Sequence, residues 1–368
     1  MTTIGQTSAP STNTIYYDSL LSTSLMAYKK TMYDNIFKDS AFLAYLRMTD
    51  SVKKQDGGER VAMPLMYGKN ETVHVMGPYG VIDTTPQDGM TTAFYEWAEI
   101  AGSISISRKE ERQNSGEGRL IGLLEQKIKQ AEMSMTEELN QGLILGTVSS
   151  STFIENTATD GTKGLIPLGM FFRKLNATDP TSGSIGNISG STHSWWRHKT
   201  GWVNNNNTTG NSFYASVTTY AGLEAYLKRM YNYCSRGSGG SPDLIVTDQV
   251  SFETYENALN TKVRYTNTKM ADMGFDNVKL RGATMIWDES TPDIYTGTAA
   301  ITVGTAFFIN TNFYNLFIDS QTDIVTTPFV EPENQLAKTA KILFMGQTGI
   351  SNARKHGVVG GISQSIVA

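Results

Sequence analysis

The sequence predicts an α+β protein, and three features predict it: a long antiparallel hairpin, one long amphipathic helix, and a lobe in which helices alternate with buried strands. The hairpin rests on period-two alternation. Val61, Met63, Leu65 and Tyr67 share one face of the outgoing run; Ala98, Ile100, Ile104 and Ile106 share one face of the return, with Ser103, Ser105 and Ser107 on the other. The helix rests on apolar residues at helical spacing between Ser115 and Gly146. The lobe rests on "DLIVT" (243–247), a helical run, then "ATMIWD" (283–288) and "TAFFIN" (305–310).

Taken in order, residues 1–14 read as a polar arm. From Ile15 to Met48 the text is helical, with Leu20, Leu21, Leu25 and Tyr28 in one group and Ile36, Phe37, Phe42 and Leu46 in a second. The hairpin unit runs from Glu59 to Arg108, far beyond the ordinary strand of about 5–6 residues. A two-stranded ribbon of that length is not stable alone and its edges invite pairing, so it must lean on something else, such as a neighbouring copy. In the helix, assigned to 109–146, Ile121, Leu124, Ile128, Ala131, Met135, Leu139 and Leu143 form one drifting stripe. Ser115 can cap it, Glu117 suits its first turn, and Gly142 and Gly146 mark its far end. Residues 147–212 are rich in Ser, Thr, Gly and Asn and read as loop anchored by Trp195, Trp196 and Trp202. Helices are expected over Val217–Tyr233 and Gln249–Asn260. Closing strands are expected in "LFIDS", "TDIVTTPFV" and "KTAKILFMGQTGI".

The chain has 368 residues, enough for two or three lobes. A net charge of -4 argues against a protein that coats nucleic acid, while leaving a local basic patch open. With Cys234 as the single cysteine, no disulfide forms within the chain. No apolar stretch approaches the roughly 20 residues of a membrane span, and the N-terminus has no signal-peptide core. A soluble chain made in the cytoplasm, with no membrane partner, is expected.

No set of residues reaches the standard of an active site. His193 and His198 in "HSWWRH" lack the paired spacing of zinc ligands, and an aromatic anchor explains the segment better. "GEGRLIG" (116–122) is neither a dinucleotide fingerprint nor a phosphate loop, and reads as the turn into the helix. No nucleophile elbow occurs. Cys234 has no histidine nearby in sequence and reads as an inert thiol. Asp288, Glu289 and Asp293 could hold a cation, but a solvated strand-end turn is the simpler reading. "SVKK" (51–54) and "SRKEER" (107–112) read as solvated surface. No catalytic, metal or cofactor residue is therefore predicted, and no enzyme.

The order of arm, hairpin, helix, loop-rich lobe and closing strands resembles the major capsid proteins of tailed bacteriophages, with the Hong Kong 97-type fold. Three stretches look like that family: "GSIGNISGSTHSWWRHKTG" (183–201), "SPDLIVTDQVSFETYENAL" (241–259), and "LRGATMIWDESTP" (280–292) followed by "AFFINTNFYNLFIDS" (306–320). The resemblance spans about residues 30–360.

It implies an N-terminal arm and helix (1–58), an extended E-loop (59–108), a P-domain spine helix (109–146), most of an A domain (147–322) and a return to the P domain (323–368). It also implies E-loop contacts to an adjacent subunit through Tyr67, Lys69, His74, Tyr79 and Trp97, and spine packing through Ile121, Leu124, Ile128, Met135 and Leu139. The implied function is a self-assembling icosahedral head shell of hexamers and pentamers that encloses double-stranded DNA without reading its sequence. The implied partners are a portal protein, either a separate scaffolding protein or none, and, in some members of the family, a decoration protein; the implied location is the virion, with assembly in the host cytoplasm. Only about 58 residues precede the hairpin, too few for a fused scaffolding segment of the family's size. Lys69 is the hairpin's one lysine and Asn352 its conceivable partner for a covalent cross-link, a poor match, so cross-linking is not expected. The alternatives are the shell of a cellular nanocompartment with the same fold, a metal-dependent hydrolase using His193, His198 and the 288–293 turn, and a β-rich adhesin, which the long helix disfavours.

Overall fold

The computed structural model describes residues 41–113, 123–144, 164–172, 184–190, 192–203, 213–215, 217–259, 277–291, 304–332, 336–363 and 366. In chain order it forms α1 (Ala41–Met48), β1 (Val52–Gln55), β2 (Arg60–Met66), β3 (Met90–Glu96), β4 (Ala98–Ser107), α2 (Arg108–Gln113) and α3 (Leu123–Ile144). Next come α4 (Leu168–Phe171), β5 (Ser184–Ile185), β6 (Ile188–Ser189), β7 (Lys199–Val203), β8 (Phe213–Ala215), α5 (Tyr220–Cys234), β9 (Leu244–Thr247) and α6 (Gln249–Leu259). The chain closes with β10 (Asn277–Leu280), β11 (Ala283–Trp287), β12 (Ala306–Ile309), β13 (Tyr314–Asp319), β14 (Val325–Thr326), β15 (Ala337–Ile350) and β16 (Gly357–Gly360). The arm, the apolar group at Leu20–Tyr28, Ile36, Phe37, the Ser115 cap, Ile121, Gly146 and Asp293 lie outside the described residues.

Two compact units share α3, β4 and β15. The smaller holds residues 101–113, 123–135, 326–332 and 336–343 among its described part. There Ile104 and Ile106 of β4 and Ala340 and Ile342 of β15 are buried, with Met135 of α3. Lys127 of α3 donates to the Ser105 carbonyl at 3.0 Å and pairs with Glu110 at 3.1 Å.

The larger unit contains a mixed seven-stranded sheet in the order β10-β11-β9-β12-β16-β7-β8. Its β9, β12 and β16 are buried at every position, as expected for strands covered on both faces. On one side α5 supplies Leu223, Tyr226, Leu227 and Met230 and α6 supplies Phe252 and Tyr255, packed with Ile245, Met285, Phe308 and Val359 of the sheet. Each such side chain contributes about 1.5–3 kcal/mol on full burial. Thr219 caps α5 through its hydroxyl, which accepts from the Gly222 N–H. The first turn of α1 is capped from far along the chain, by Asp288 Oδ2 accepting the Phe42 N–H at 2.9 Å.

The structure changes several expectations. The return limb of the hairpin is two strands: β3 pairs with β2, whereas β4 pairs with β15. Inward positions run Ala93, Tyr95, then Ala98, so the alternation slips by one residue at Trp97. "SVKK" is no mere surface turn, since β1 pairs in parallel with β13 from Val52↔Leu316 to Gln55↔Asp319. The loop text at 183–203 holds the β5-β6 hairpin and β7. Strand β16 inserts between β12 and β7, so part of the 323–368 region belongs to the sheet of the preceding lobe. In "TDIVTTPFV" only β14 is strand, with one isolated bridge at Val330↔Thr339.

Candidate functional site

The β2-β3 hairpin has a base and a tip of opposite character. At the base the strands pair from Arg60↔Glu96 to Met66↔Met90. Val61, Met63, Leu65, Ala93 and Tyr95 form its buried face. The Tyr95 hydroxyl donates to the Ile350 carbonyl at 2.8 Å and accepts the Ile350 N–H at 3.3 Å; burial pushes its pKa above the ordinary phenol value. Two glycines allow close approach. A Cβ on Gly186 would meet Ala93 and the Tyr95 ring at 2.9 Å, and one on Gly349 would meet Met63 Sδ at 3.1 Å and Tyr95 at 3.2 Å. The hairpin base thus leans on its own chain.

The ladder ends where the N–H groups of Tyr67 and Gly68 both donate to the Gly89 carbonyl, at 2.9 and 3.3 Å. From 69 to 88 there is no strand. Short side-chain turns hold the segment: Asn70 Oδ1 accepts from Thr72 N–H at 2.9 Å, Asp83 Oδ1 accepts from Thr85 N–H at 3.0 Å, and His74 Nδ1–H donates to the Thr72 carbonyl at 2.8 Å. The Thr85 donors hold the Asp83 carboxyl below its usual pKa.

This polar scaffold carries apolar side chains that the chain leaves in water. Val75 is 100% exposed, Tyr79 99%, Val81 87% and Val73 80%, with Ile82, Met66 and Met90 also exposed. Scattered exposed residues need no explanation, but a contiguous apolar segment marks an interaction surface. Burying these side chains would release on the order of 10 kcal/mol before the entropy of ordering the segment is subtracted.

At the root of the tip the Tyr67 ring stacks on Trp195, centroids 5.0 Å apart and planes at 12°. Trp195 also meets Trp196 and His193, and the Trp196 indole N–H donates to the Ile185 carbonyl at 3.0 Å. The Trp-Trp segment is therefore the platform from which the tip departs.

The chain is similar to the cyanophage A-1(L) capsid asymmetric unit, with a TM-score of 0.62 and 15% identity over 93% of this chain and 98% of that one. The fold is the Hong Kong 97-type capsid fold. The capsid of Myoviridae phage XM1 is similar at a TM-score of 0.54 and 12% identity, over 92% and 97% of the two chains. The holo-SrpI encapsulin complex from Synechococcus elongatus PCC 7942 is similar at 0.52 and 6%, over 93% and 95%. No family model and no curated protein matches the chain.

Within this capsid fold Lys69, His74 and Tyr79 lie exposed on the tip and Tyr67 at its root. Trp97 stands apart: it is half-buried, and its indole N–H donates to the Gly58 carbonyl at 2.8 Å, closing the hairpin base on its own chain. Val73, Val75, Met76, Val81 and Ile82 were not singled out from sequence. Their signal was apolar residues amid Gly77, Pro78, Gly80 and Pro86, where no buried strand can form. On α3, Met135, Leu139 and Leu143 are buried and Ile128 is half-buried; the Leu124 side chain lies outside the described residues.

The residues weighed for chemistry have structural roles here. The structure sets His193 against Trp195 and His198 against Phe172. Asp288 is buried, not solvated: besides the Phe42 N–H it accepts from Ser290 N–H at 2.9 Å and Asn140 Nδ2 at 2.8 Å. Burial raises its pKa against the pull of those donors. Among the described residues no three of His, Cys, Asp and Glu gather as metal ligands. Cys234 is buried, and burial pushes its thiol up to about 12, away from the thiolate form. His356 stacks on Phe172 at 4.8 Å and accepts the Asn310 N–H on Nδ1 at 3.2 Å; burial, with His198 nearby, pushes its pKa down to about 3. Among the described residues no helix is long and apolar enough to cross a membrane.

Proposed function

We propose that this chain is the structural subunit of an icosahedral shell that encloses the double-stranded DNA of a tailed phage. The observation that carries the reading is the apolar tip at 69–88, exposed on a chain of capsid fold. Its partner is a second copy: segment 67–89 acts as the extended loop that reaches over an adjacent subunit of a hexamer or pentamer. Tyr67, Lys69, His74 and Tyr79 take part in that contact, and Val73, Val75, Val81 and Ile82 supply its area. Head-to-tail contacts of this kind close into rings and, repeated, into a shell. The role is structural, with no chemical step.

In this reading α3 is the spine of the peripheral domain and the seven-stranded sheet, β16 included, is the axial domain. A portal protein, a separate scaffolding protein and a decoration protein are its partners, assembly takes place in the host cytoplasm, and the virion is its location.

The test is assembly. The purified subunit, alone and with a co-expressed scaffold, is followed by light scattering and negative-stain electron microscopy. Closed shells or five- and six-membered rings are expected; a monomer or dimer under both conditions would overturn the reading. The likeness to the encapsulin supports a second reading, a nanocompartment shell. Particles from the native source that hold protein cargo and no DNA would favour it.

A further inference from the structure

A second surface, on the larger unit, has a different chemistry. Helix α5 ends at Cys234 and runs into the loop SRGSGG, residues 235–240. Lys355 is buried beneath that loop, and its ammonium donates to the carbonyls of Ser235, Arg236, Gly237 and Gly240 at 3.4, 3.2, 3.0 and 3.0 Å. Among the described residues no peptide bond is cis. In a trans peptide the N–H points opposite the carbonyl of the same plane. Four carbonyls drawn inward onto one ammonium therefore turn the N–H groups of residues 236, 237, 238 and 241 outward. The positive φ of Gly237, Gly239 and Gly240 lets the loop curl this way, and residues 236–240 are exposed. The result is a ring of outward donors around an internal positive charge, the arrangement that binds anions.

Further cations surround it. Arg236 lies 5.2 Å from the centroid of the Tyr233 ring and the Lys199 ammonium 4.5 Å from the same ring. Arg281 donates to Asn232 Oδ1, and Arg354 is exposed beside Lys355. None of these five cations pairs with a carboxylate among the described residues, in a chain whose net charge is -4. The negative end of α5 offsets part of this charge, but a helix terminus carries only about half an elementary charge.

We propose that the end of α5 and the 235–241 loop form a contact for the phosphodiester backbone of nucleic acid. Guanidinium groups and outward N–H groups suit phosphate oxygens. The competing anion, an acidic segment of protein, fits less well within this chain, whose densest acidic stretches are short and mixed, as in KEER (109–112) and EPE (331–333). The contact reads charge and not sequence. It needs no shell to operate, so it stands or falls separately from the assembly reading.

The test is fluorescence anisotropy of a labelled DNA duplex of about 30 base pairs, random in sequence, with the full-length subunit. Four exposed or half-exposed cations predict a loss of affinity of roughly a hundredfold between about 50 and 200 mM salt. The double variant Arg236→Ala/Arg281→Ala, both at exposed positions, should keep its circular dichroism spectrum and reduce the log–log salt slope by about 2. Lys355→Met, which removes the ammonium under the loop, should weaken binding and speed amide exchange at 236–241. Wild-type protein that ignores DNA at low salt, or a double variant with an unchanged slope, would overturn the proposal. So would a polyglutamate peptide that binds the same residues more tightly than DNA.

Discussion

At the base of the β2-β3 hairpin every second side chain is buried against the same chain, and the Tyr95 hydroxyl bonds both backbone groups of Ile350. Beyond Gly68 and Gly89 the same hairpin holds Val73, Val75, Tyr79 and Val81 in water on a frame of local turns. Both regions carry apolar side chains; their surroundings differ. An apolar side chain that its own chain covers contributes to folding. One that its own chain leaves bare contributes only when another surface arrives. The base therefore reports on stability and the tip on association, and the two should separate by mutation.

The largest effect expected is from replacing residues 69–88 with an Asn-Gly turn between Gly68 and Gly89. The subunit should stay folded by circular dichroism, while electron microscopy shows no shells or rings; closed particles from this variant would break the comparison. Next is Tyr95→Ala at the base. It should cost about 3–5 kcal/mol of stability in denaturant titration, since it opens a cavity and strands the Ile350 N–H and carbonyl.

Acidification loads the buried core of the larger unit. Neutral His356 titrates at about 3 in the fold against an ordinary value near 6.5. Its contribution is complete above pH 6.5 and is lost as the pH falls toward 3, by about 1.4 kcal/mol per unit. Asp243, Asp248 and Asp288, whose pKa values burial raises, act with the opposite sign and favour the fold at low pH. The difference between wild type and His356→Asn isolates the histidine: the variant's stability should fall less steeply between pH 6.5 and 4.

Smaller still, Val75→Ser at the tip should change the subunit's stability by less than about 0.5 kcal/mol while raising the concentration at which shells form. The smallest effect on assembly is expected from Trp97→Ala. Its bond to Gly58 is internal, so melting temperature should drop while the assembly threshold of the folded fraction stays near wild type. A larger shift in assembly than in stability would support the contact role that the family resemblance implies for Trp97.

The alternation at Val61, Met63 and Leu65, the stripe through Met135, Leu139 and Leu143, and the short continuous apolar runs of β9 and β12 are all signals within one element. For those, sequence alone identified the element and what it buries, because pattern and composition are local. The slip at Trp97 was also present in the order Ala93, Tyr95, Ala98, but it is a single-residue signal easily read through. Strand β7, with the sequence KTGWV, and β16, with GVVG, carry almost no signal of their own. They are strands because of their partners: β16 pairs with β12 and β7, and β7 pairs with β16 and β8.

By itself, then, the sequence determined which residues alternate, which helix is amphipathic, and the order of elements that resembles a capsid subunit. Only the tertiary structure decided that β4 leaves the hairpin for β15, that Asp288 caps α1, that Lys355 turns a glycine loop outward, and that the apolar tip stays uncovered. The physical reason is the same in each case. Periodicity tells a residue which side it faces, whereas burial and pairing depend on what stands on that side, and that neighbour is supplied from far along the chain.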